Sequence, residues 1–280
     1  MTIDFSEMGR ELRQEEMEAL RSVLQAYKEG LAEPILIGAE EGIRDLAERE
    51  SIALDGIEIL DEADPQAAAH LGVHLVRTGQ ADAIMKGLVK TSLILKAVLN
   101  KETGIRSNKL LSHIAVFNIP QLGRSLMISD AALCIAPNLA EKRNIIQNAV
   151  EAMHLLGYER PKVACLCAVE SVNPAMPATV DAAELVRLNR SGEIGGCDVG
   201  GPFALDNALF PEAAELKGLD GPVAGRSDIL LMPNIEVGNA LYKSLAFLQN
   251  LPVAGAIVGA KVPVIITSRA DSQETKHLSI

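Results

Sequence analysis

The 280-residue chain has no tryptophan, and aromatic residues make up only 3% of it. Its core must therefore be built from Ala, Leu, Ile and Val. Such cores suit parallel sheets whose strands are covered by helices on both faces. Positive charge is also scarce: 26 Lys and Arg stand against 37 Asp and Glu, a net charge of −11. That argues against a nucleic-acid surface, which wants a basic stripe. It does not exclude an anionic ligand, since a phosphate needs only a helix N-terminus and one or two cations. No apolar run reaches the ~18 residues needed to span a bilayer. No apolar stretch of the secretory type follows the opening Met1-Thr2-Ile3-Asp4-Phe5. The expectation is a soluble cytoplasmic protein with no membrane partner. Four cysteines, Cys134, Cys165, Cys167 and Cys197, suggest no disulfide framework. Cys165 and Cys167 would share one face of a strand. No second ligand pair stands near them, so they read as buried thiols and no metal site is expected.

What is present is a regular alternation. The length predicts one large or two modest domains. Helical spacing covers Arg10–Lys28, Ile43–Glu50, Pro65–Thr78, Thr91–Lys101, Leu139–Leu156, Thr179–Asn189, Ala204–Lys217 and Val237–Gln249. Short apolar runs between them read as strands: Pro34–Gly38, Ile57–Leu60, Ala81–Met85, Val163–Val169, Ile194–Val199, Asp228–Met232, Ala254–Val258 and Val264–Thr267. Ile114–Phe117 and Ser125–Ile128, joined through Pro120 and Gly123, resemble a hairpin. The alternation implies an α/β fold with a largely parallel sheet. No Gly/Ser or Pro linker and no internal repeat divides it.

In open α/β sheets ligands bind beyond the carboxyl ends of strands, so the residues after each apolar run carry the information. Met85-Lys86-Gly87-Leu88-Val89-Lys90-Thr91-Ser92 runs from a strand through two lysines into a helix that Thr91 or Ser92 would cap. It reads either as a capped helix with exposed lysines or as an anion site, but not as a Walker A loop, because the second glycine is absent. Ser112-His113 opens a strand, and a hydroxyl beside an imidazole suits phosphate; a lone histidine there is more often structural. Glu170, after Val169, suits a positional role. Asp206 and Asn207 follow Gly200-Gly201-Pro202, where glycines let a ligand approach the backbone. Finally, Val264-Ile265-Ile266-Thr267 delivers Ser268, Arg269, Asp271 and Ser272 at one strand end. A guanidinium holds planar oxyanions bidentately. The plain alternative is a helix capped by Ser268 or Asp271.

These segments, with Leu111-Ser112-His113, Ser129–Pro137, Ala168–Pro174, Met176–Ala183, Gly201–Ala208 and Asp228–Pro233, resemble the phosphate acetyltransferase and phosphate butyryltransferase family in order and spacing. The likeness runs from about residue 30 to the end and is greatest to the butyryltransferase branch. It implies two α/β domains of the isocitrate dehydrogenase-like kind with the active site in the cleft between them. The first would be discontinuous, residues 1–136 and 254–280; the second would be 137–253. The implied reaction is acyl-CoA plus phosphate giving acyl phosphate plus coenzyme A, with a butyryl or branched acyl group. Coenzyme A is then a co-substrate, no cofactor is tightly bound, no metal takes part, and a homodimer or larger homo-oligomer is usual.

Carried over residue by residue, the resemblance gives Ser268, Arg269 and Asp271 catalytic roles. Lys86, Lys90, Thr91, Ser92, Ser112, His113, Asp206 and Asn207 would bind phosphate or coenzyme A. The acetyl branch has a catalytic aspartate seven residues after the serine; here that position is Thr275. Asp271 and Glu274 are the nearby carboxylates. An arginine of that branch falls near Lys96, which keeps a cation without the bidentate fork. Family members open with a full strand, for which only Met1–Phe5 stands here, and their last helix normally continues past Ile280. Three other readings stay open: a phosphate acetyltransferase, a catalytically weakened relative that binds coenzyme A, and an NAD-dependent hydroxyacid dehydrogenase of the same fold. The last lacks a G-x-G-x-x-G segment.

Overall fold

The computed structural model describes residues 2–5, 14–267 and 271–280. In chain order the elements are β1 (Thr2–Phe5), α1 (Gln14–Lys28), β2 (Ile35–Gly38), α2 (Glu40–Arg49), β3 (Glu58–Asp61), α3 (Pro65–Arg77), β4 (Ile84–Met85) and α4 (Thr91–Val98). Then come β5 (Ser112–Ile119), β6 (Arg124–Ser129), α5 (Leu139–Leu155), β7 (Lys162–Leu166), α6 (Pro177–Arg190) and β8 (Asp198–Phe203). The rest are α7 (Leu205–Leu209), α8 (Pro211–Leu216), β9 (Ile229–Leu231), α9 (Ile235–Lys243) running into a π-helical turn (Ser244–Leu248), β10 (Val253–Val258), β11 (Val264–Ile265) and α10 (Gln273–Leu278).

The chain divides into two compact units, Met1–Lys109 with Ala254–Ile280, and Leu110–Val253. Residues 110–136, expected in the first domain, group with the second. The reason is strand pairing: β5 and β6 form an antiparallel hairpin, and β6 then lies parallel to β9, with Met127 opposite Ile229.

The first unit has the strand order β3-β2-β1-β4-β11-β10. All its neighbours are parallel except β10 and β11. The short opening segment does form a strand: β1 lies between β2 and β4, with Ile3 opposite both Leu36 and Met85. Leu20, Val23 and Leu24 of α1, Ile43 and Leu46 of α2, and Leu36, Met85 and Ile265 of the sheet form one buried cluster. The helix starts follow local chemistry. Asp64 accepts the N–H of Ala67 at 2.7 Å, and Pro65 occupies the first turn, where its missing N–H costs nothing.

The second unit has the order β5-β6-β9-β7-β8. Phe117, Leu126, Ile128, Ala164 and Leu230 sit in its main cluster. Helix α5 opens on a reciprocal cap: Asn138 accepts the N–H of Glu141 at 3.0 Å, and Glu141 accepts that of Asn138 at 2.8 Å. Two expectations shift. The stretch Ala204–Lys217 is two short helices broken at Pro211, whose ring cannot continue a helix. The strand expected at Ile194–Val199 is displaced to Asp198–Phe203, after a turn at Gly196 with φ +75°. No helix among the described residues is long and apolar enough to cross a membrane.

Candidate functional site

In the first unit the strand order reverses between β1 and β4, the point at which an open α/β sheet leaves a crevice beyond its carboxyl ends. β4 and β11 are parallel neighbours there, with Ile84 opposite Val264 and Met85 opposite Ile265. The N–H of Lys86 donates to the Ile265 carbonyl at 2.9 Å. The turn Lys86–Ser92 and the segment after Ile265 therefore leave adjacent strands side by side, on one edge of one sheet.

On that edge Lys86 is buried, and its Nζ donates to the Gly87 carbonyl at 2.9 Å. Lys90 is exposed and stands at the N-cap of α4, with no side-chain cap. Thr91 and Ser92 are thus the first two helical residues and not the cap, and both are exposed. The first turn carries no acid, so nothing of the helix's own offsets its N-terminal partial charge. Lys96 is exposed in the last turn of α4.

On the other strand Thr267 and Asp271 are buried, at 9% and 7% exposure. Ser268 and Arg269 lie outside the described residues. Helix α10 is capped by Ser272, which accepts the Thr275 N–H at 3.2 Å, and not by Asp271. Thr275, in the place of the acetyl branch's aspartate, is buried, and Glu274 is exposed.

The second unit holds the remaining candidates. Ser112 is fully buried, and its hydroxyl accepts from Asn148 Nδ2 of α5 at 2.9 Å. His113 is buried with its ring edge toward Tyr242 at 6.0 Å, and its Nδ1 has no partner. Burial pushes its imidazole below the ordinary histidine range, only partly offset by the Asp130 carboxylate, so it is neutral near pH 7. Asp130, which the sequence reading passed over, accepts the N–H of His113 at 2.7 Å and those of Ala132 and Leu133 at 2.8 Å. It fixes the loop after β6, and Asp-x-x after a strand is the signal that could have marked it.

Asn207 is fully buried; its Nδ2 donates to Glu170 Oε1 at 2.7 Å, and its Oδ1 has no partner. Lys217 lies 3.4 Å from the same Glu170 oxygen. A backbone hydrogen bond first, then Lys217 and Asn207, hold Glu170 below the usual carboxylate range. Asp206 is exposed in the first turn of α7. A second pair, Lys142 to Asp181 at 2.7 Å, joins α5 to α6. It had no marker in sequence, its partners being 39 residues apart.

A cavity of about 750 Å³ opens where β2, β3 and β4 begin, lined by Glu33, Ile35, Glu58, Asp82 and Ala83 among others. Its three carboxylates disfavour a phosphate. Among the described residues, no group of three or more His, Cys, Asp or Glu could hold a metal ion.

Residues 63–280 match the family described as phosphate acetyl/butaryl transferase. A phosphate butyryltransferase of Clostridium acetobutylicum is 48% identical over 93% of this chain and 87% of that protein. A phosphate acetyltransferase of Thermotoga maritima is 44% identical over 93% of this chain and 88% of that protein. The crystal structure of a branched-chain phosphotransacylase from Enterococcus faecalis V583 superposes with a TM-score of 0.85 at 35% identity, covering 100% of this chain and 96% of that one. A likeness of this degree over nearly the whole length leads to one conclusion: the chain belongs to the phosphate acetyl/butyryl transferase family and is a phosphate acyltransferase.

Proposed function

We propose that the chain moves a butyryl or branched short acyl group between coenzyme A and inorganic phosphate, and that the phosphate is held where β4 and β11 end. The pairing of these two strands in register carries the reading, because the strand that leads into Lys86–Ser92 lies beside β11, which in sequence leads on to Ser268 and Arg269. Arg269 would grip the phosphate bidentately. Lys90, the hydroxyls of Thr91 and Ser92 and the first N–H groups of α4 would hold its other oxygens. Lys86, bonded to its own turn, would shape that turn and add local positive charge.

A phosphate oxygen then attacks the thioester carbonyl carbon. The carbonyl oxygen takes negative charge, which Ser268 and neighbouring donors would stabilise. Collapse breaks the C–S bond, releasing acyl phosphate and the coenzyme A thiolate, which takes up a proton. In reverse a carboxylate would accept the thiol's proton. Asp271 is the first choice, buried two residues from Arg269 in sequence, with exposed Glu274 the alternative. Coenzyme A acts as co-substrate. Ser112, bonded inside the fold, and His113, neutral, would supply no charge to an anion. Asp206 and Asn207, the latter oriented by Glu170, would contact coenzyme A.

We place the enzyme in the cytoplasm as a homodimer or larger homo-oligomer. The exposed Val237, Phe247 and Leu248 along α9 and its π-helical turn are surface a second copy would cover. Transfer of acetyl is the second reading, favoured by the Thermotoga maritima relative. A panel of acyl-CoAs of rising length, with and without phosphate, decides between them through the rate of free thiol release. Butyryl-CoA or a branched four- to five-carbon acyl-CoA should give the highest kcat/KM. One methylene changes such discrimination by only ~1–3 kcal/mol, so the profile should be graded. Thiol release that does not depend on phosphate contradicts the proposal.

A further inference from the structure

The turn between β4 and α4 carries two lysines, and the fold treats them differently. Lys86 is buried, and its Nζ donates to the Gly87 carbonyl at 2.9 Å. Lys90 is exposed at the N-cap of α4 and, among the described residues, has no hydrogen bond or ion pair. Lys96, in the last turn of the same helix, is also exposed and without a partner among them. Helix α4 therefore has one free amine at each end. The fields at the two ends are opposite. The N-terminal turn has a positive partial charge, no acid and the exposed hydroxyls of Thr91 and Ser92, while the C-terminal turn has a negative one. A molecule carrying a phosphate is drawn toward Lys90 and not toward Lys96.

The product of a phosphate acyltransferase is itself an acylating agent. An acyl phosphate is a mixed anhydride, and a lysine amine is a nucleophile toward such a carbonyl. We propose that Lys90 is a self-acylation site, modified by acyl phosphate held at the N-terminus of α4. The ammonium first releases a proton to solvent. The amine attacks the acyl carbon, the bond from that carbon to the bridging oxygen breaks, and phosphate leaves with a second proton from the nitrogen. The sum is ammonium plus acyl phosphate giving an N-acyl amide, hydrogen phosphate and one proton, with no further reactant. The step competes with return of the acyl group to the coenzyme A thiol, so it gains ground when coenzyme A is scarce. Acylation removes a positive charge from the place where phosphate binds. Accumulated product would thus switch off the enzyme that made it. Lys86, buried and bonded to its own turn, is shielded from the same reaction. The proposal rests on the reading that phosphate is held where β4 ends.

The test incubates the full chain with butyryl phosphate in the absence of coenzyme A, with and without added inorganic phosphate. Peptide mass spectrometry follows acylation at each lysine over time, and phosphate-dependent thiol release from butyryl-CoA is assayed before and after. Lys90 should be acylated at least about tenfold faster than the exposed Lys96, Lys101 and Lys261, a small part of the advantage that holding two reactants together can give. Phosphate at about ten times its KM should slow Lys90 about tenfold by occupying the same place, and leave the other three unchanged. Activity should fall in step with the fraction of Lys90 modified. Lys90→Arg keeps a cation that stays protonated and is not acylated; it should hold its own starting rate through the same incubation. Equal acylation of the four lysines in an enzyme that was active at the start overturns the proposal and leaves the acyl-transfer reading standing. A Lys90→Arg variant that loses activity as fast as wild type also overturns it. Fast acylation of Lys90 that phosphate does not slow removes the placement of phosphate at the end of β4, and the proposal with it. No phosphate-dependent thiol release at the start removes the acyl-transfer reading itself.

Discussion

Ser112 and His113 are adjacent in β5, and alternation along a strand sends their side chains to opposite faces. Ser112 bonds Asn148, while His113 lies edge-on to Tyr242 with Nδ1 unpartnered. The pH consequence follows from the lowered imidazole pKa. The unfolded chain binds a proton near pH 6.5 and the folded chain only at lower pH, so the stability His113 contributes is complete above about pH 6.5 and is lost as pH falls through the folded value. His113→Phe keeps the bulk and gives up no bond at Nδ1. Melts between about pH 5 and pH 8 should show a flatter acid decline in that variant than in wild type; parallel curves would remove His113 as a source of acid sensitivity. The thiols make a second residue-scale case. Burial, first, pushes Cys134 and Cys165 far above the ordinary thiol range, and moves Cys167 and Cys197 up to about 11. A disulfide reagent at about pH 8 should label the native enzyme slowly and the urea-unfolded chain at all four cysteines. A fast native burst would contradict that burial. At this scale the Lys86–Ser92 turn was legible, because strand, lysines and helix start are contiguous. Asp130 and Lys142 were not, because their partners lie 17 and 39 residues away and no local pattern points across such distances.

At the scale of elements, the break between α7 and α8 has a long-range partner. Gly225 has φ +70°, its N–H donates to the Asn207 carbonyl at 2.7 Å, and a Cβ there would sit 2.5 Å from Pro211 Cα. Gly225→Ala should cost at least ~1 kcal/mol in backbone strain, plus ~1–3 kcal/mol from overpacking against backbone that cannot yield. The urea midpoint should fall with an unchanged m-value; an unmoved midpoint would show that the Pro211 corner gives way freely. The displaced β8 has a similar cause. Propensity reads Gly200-Gly201 as the end of a strand. In the fold the strand runs through both, because a Cβ at Gly201 would sit 2.9 Å from Cys165 Cβ, and one at Gly200 2.7 Å from Val223 Cβ. Most helices and the β5–β6 hairpin were readable from their own periodicity. A strand that needs glycine for close approach was not, since the reason for the glycine lies on another strand.

At the scale of the whole chain, two facts bear on function. The acidic excess of −11 leaves anion binding to local features, and the clearest such feature is the carboxyl edge of the first unit's sheet. The chain also enters that unit twice, through β1–β4 and again through β10, β11 and α10. The register of β4 against β11 therefore brings together segments about 180 residues apart. The α/β class and the return near residue 254 were readable from alternation and resemblance. The first division, at 109 and not 136, depended on β6 pairing with β9. The most direct test of the phosphate grip is kcat/KM for phosphate in Arg269→Ala at saturating butyryl-CoA. The account predicts a loss of at least ~100-fold, the scale of removing one charge-stabilising donor; turnover and phosphate dependence close to wild type would contradict it.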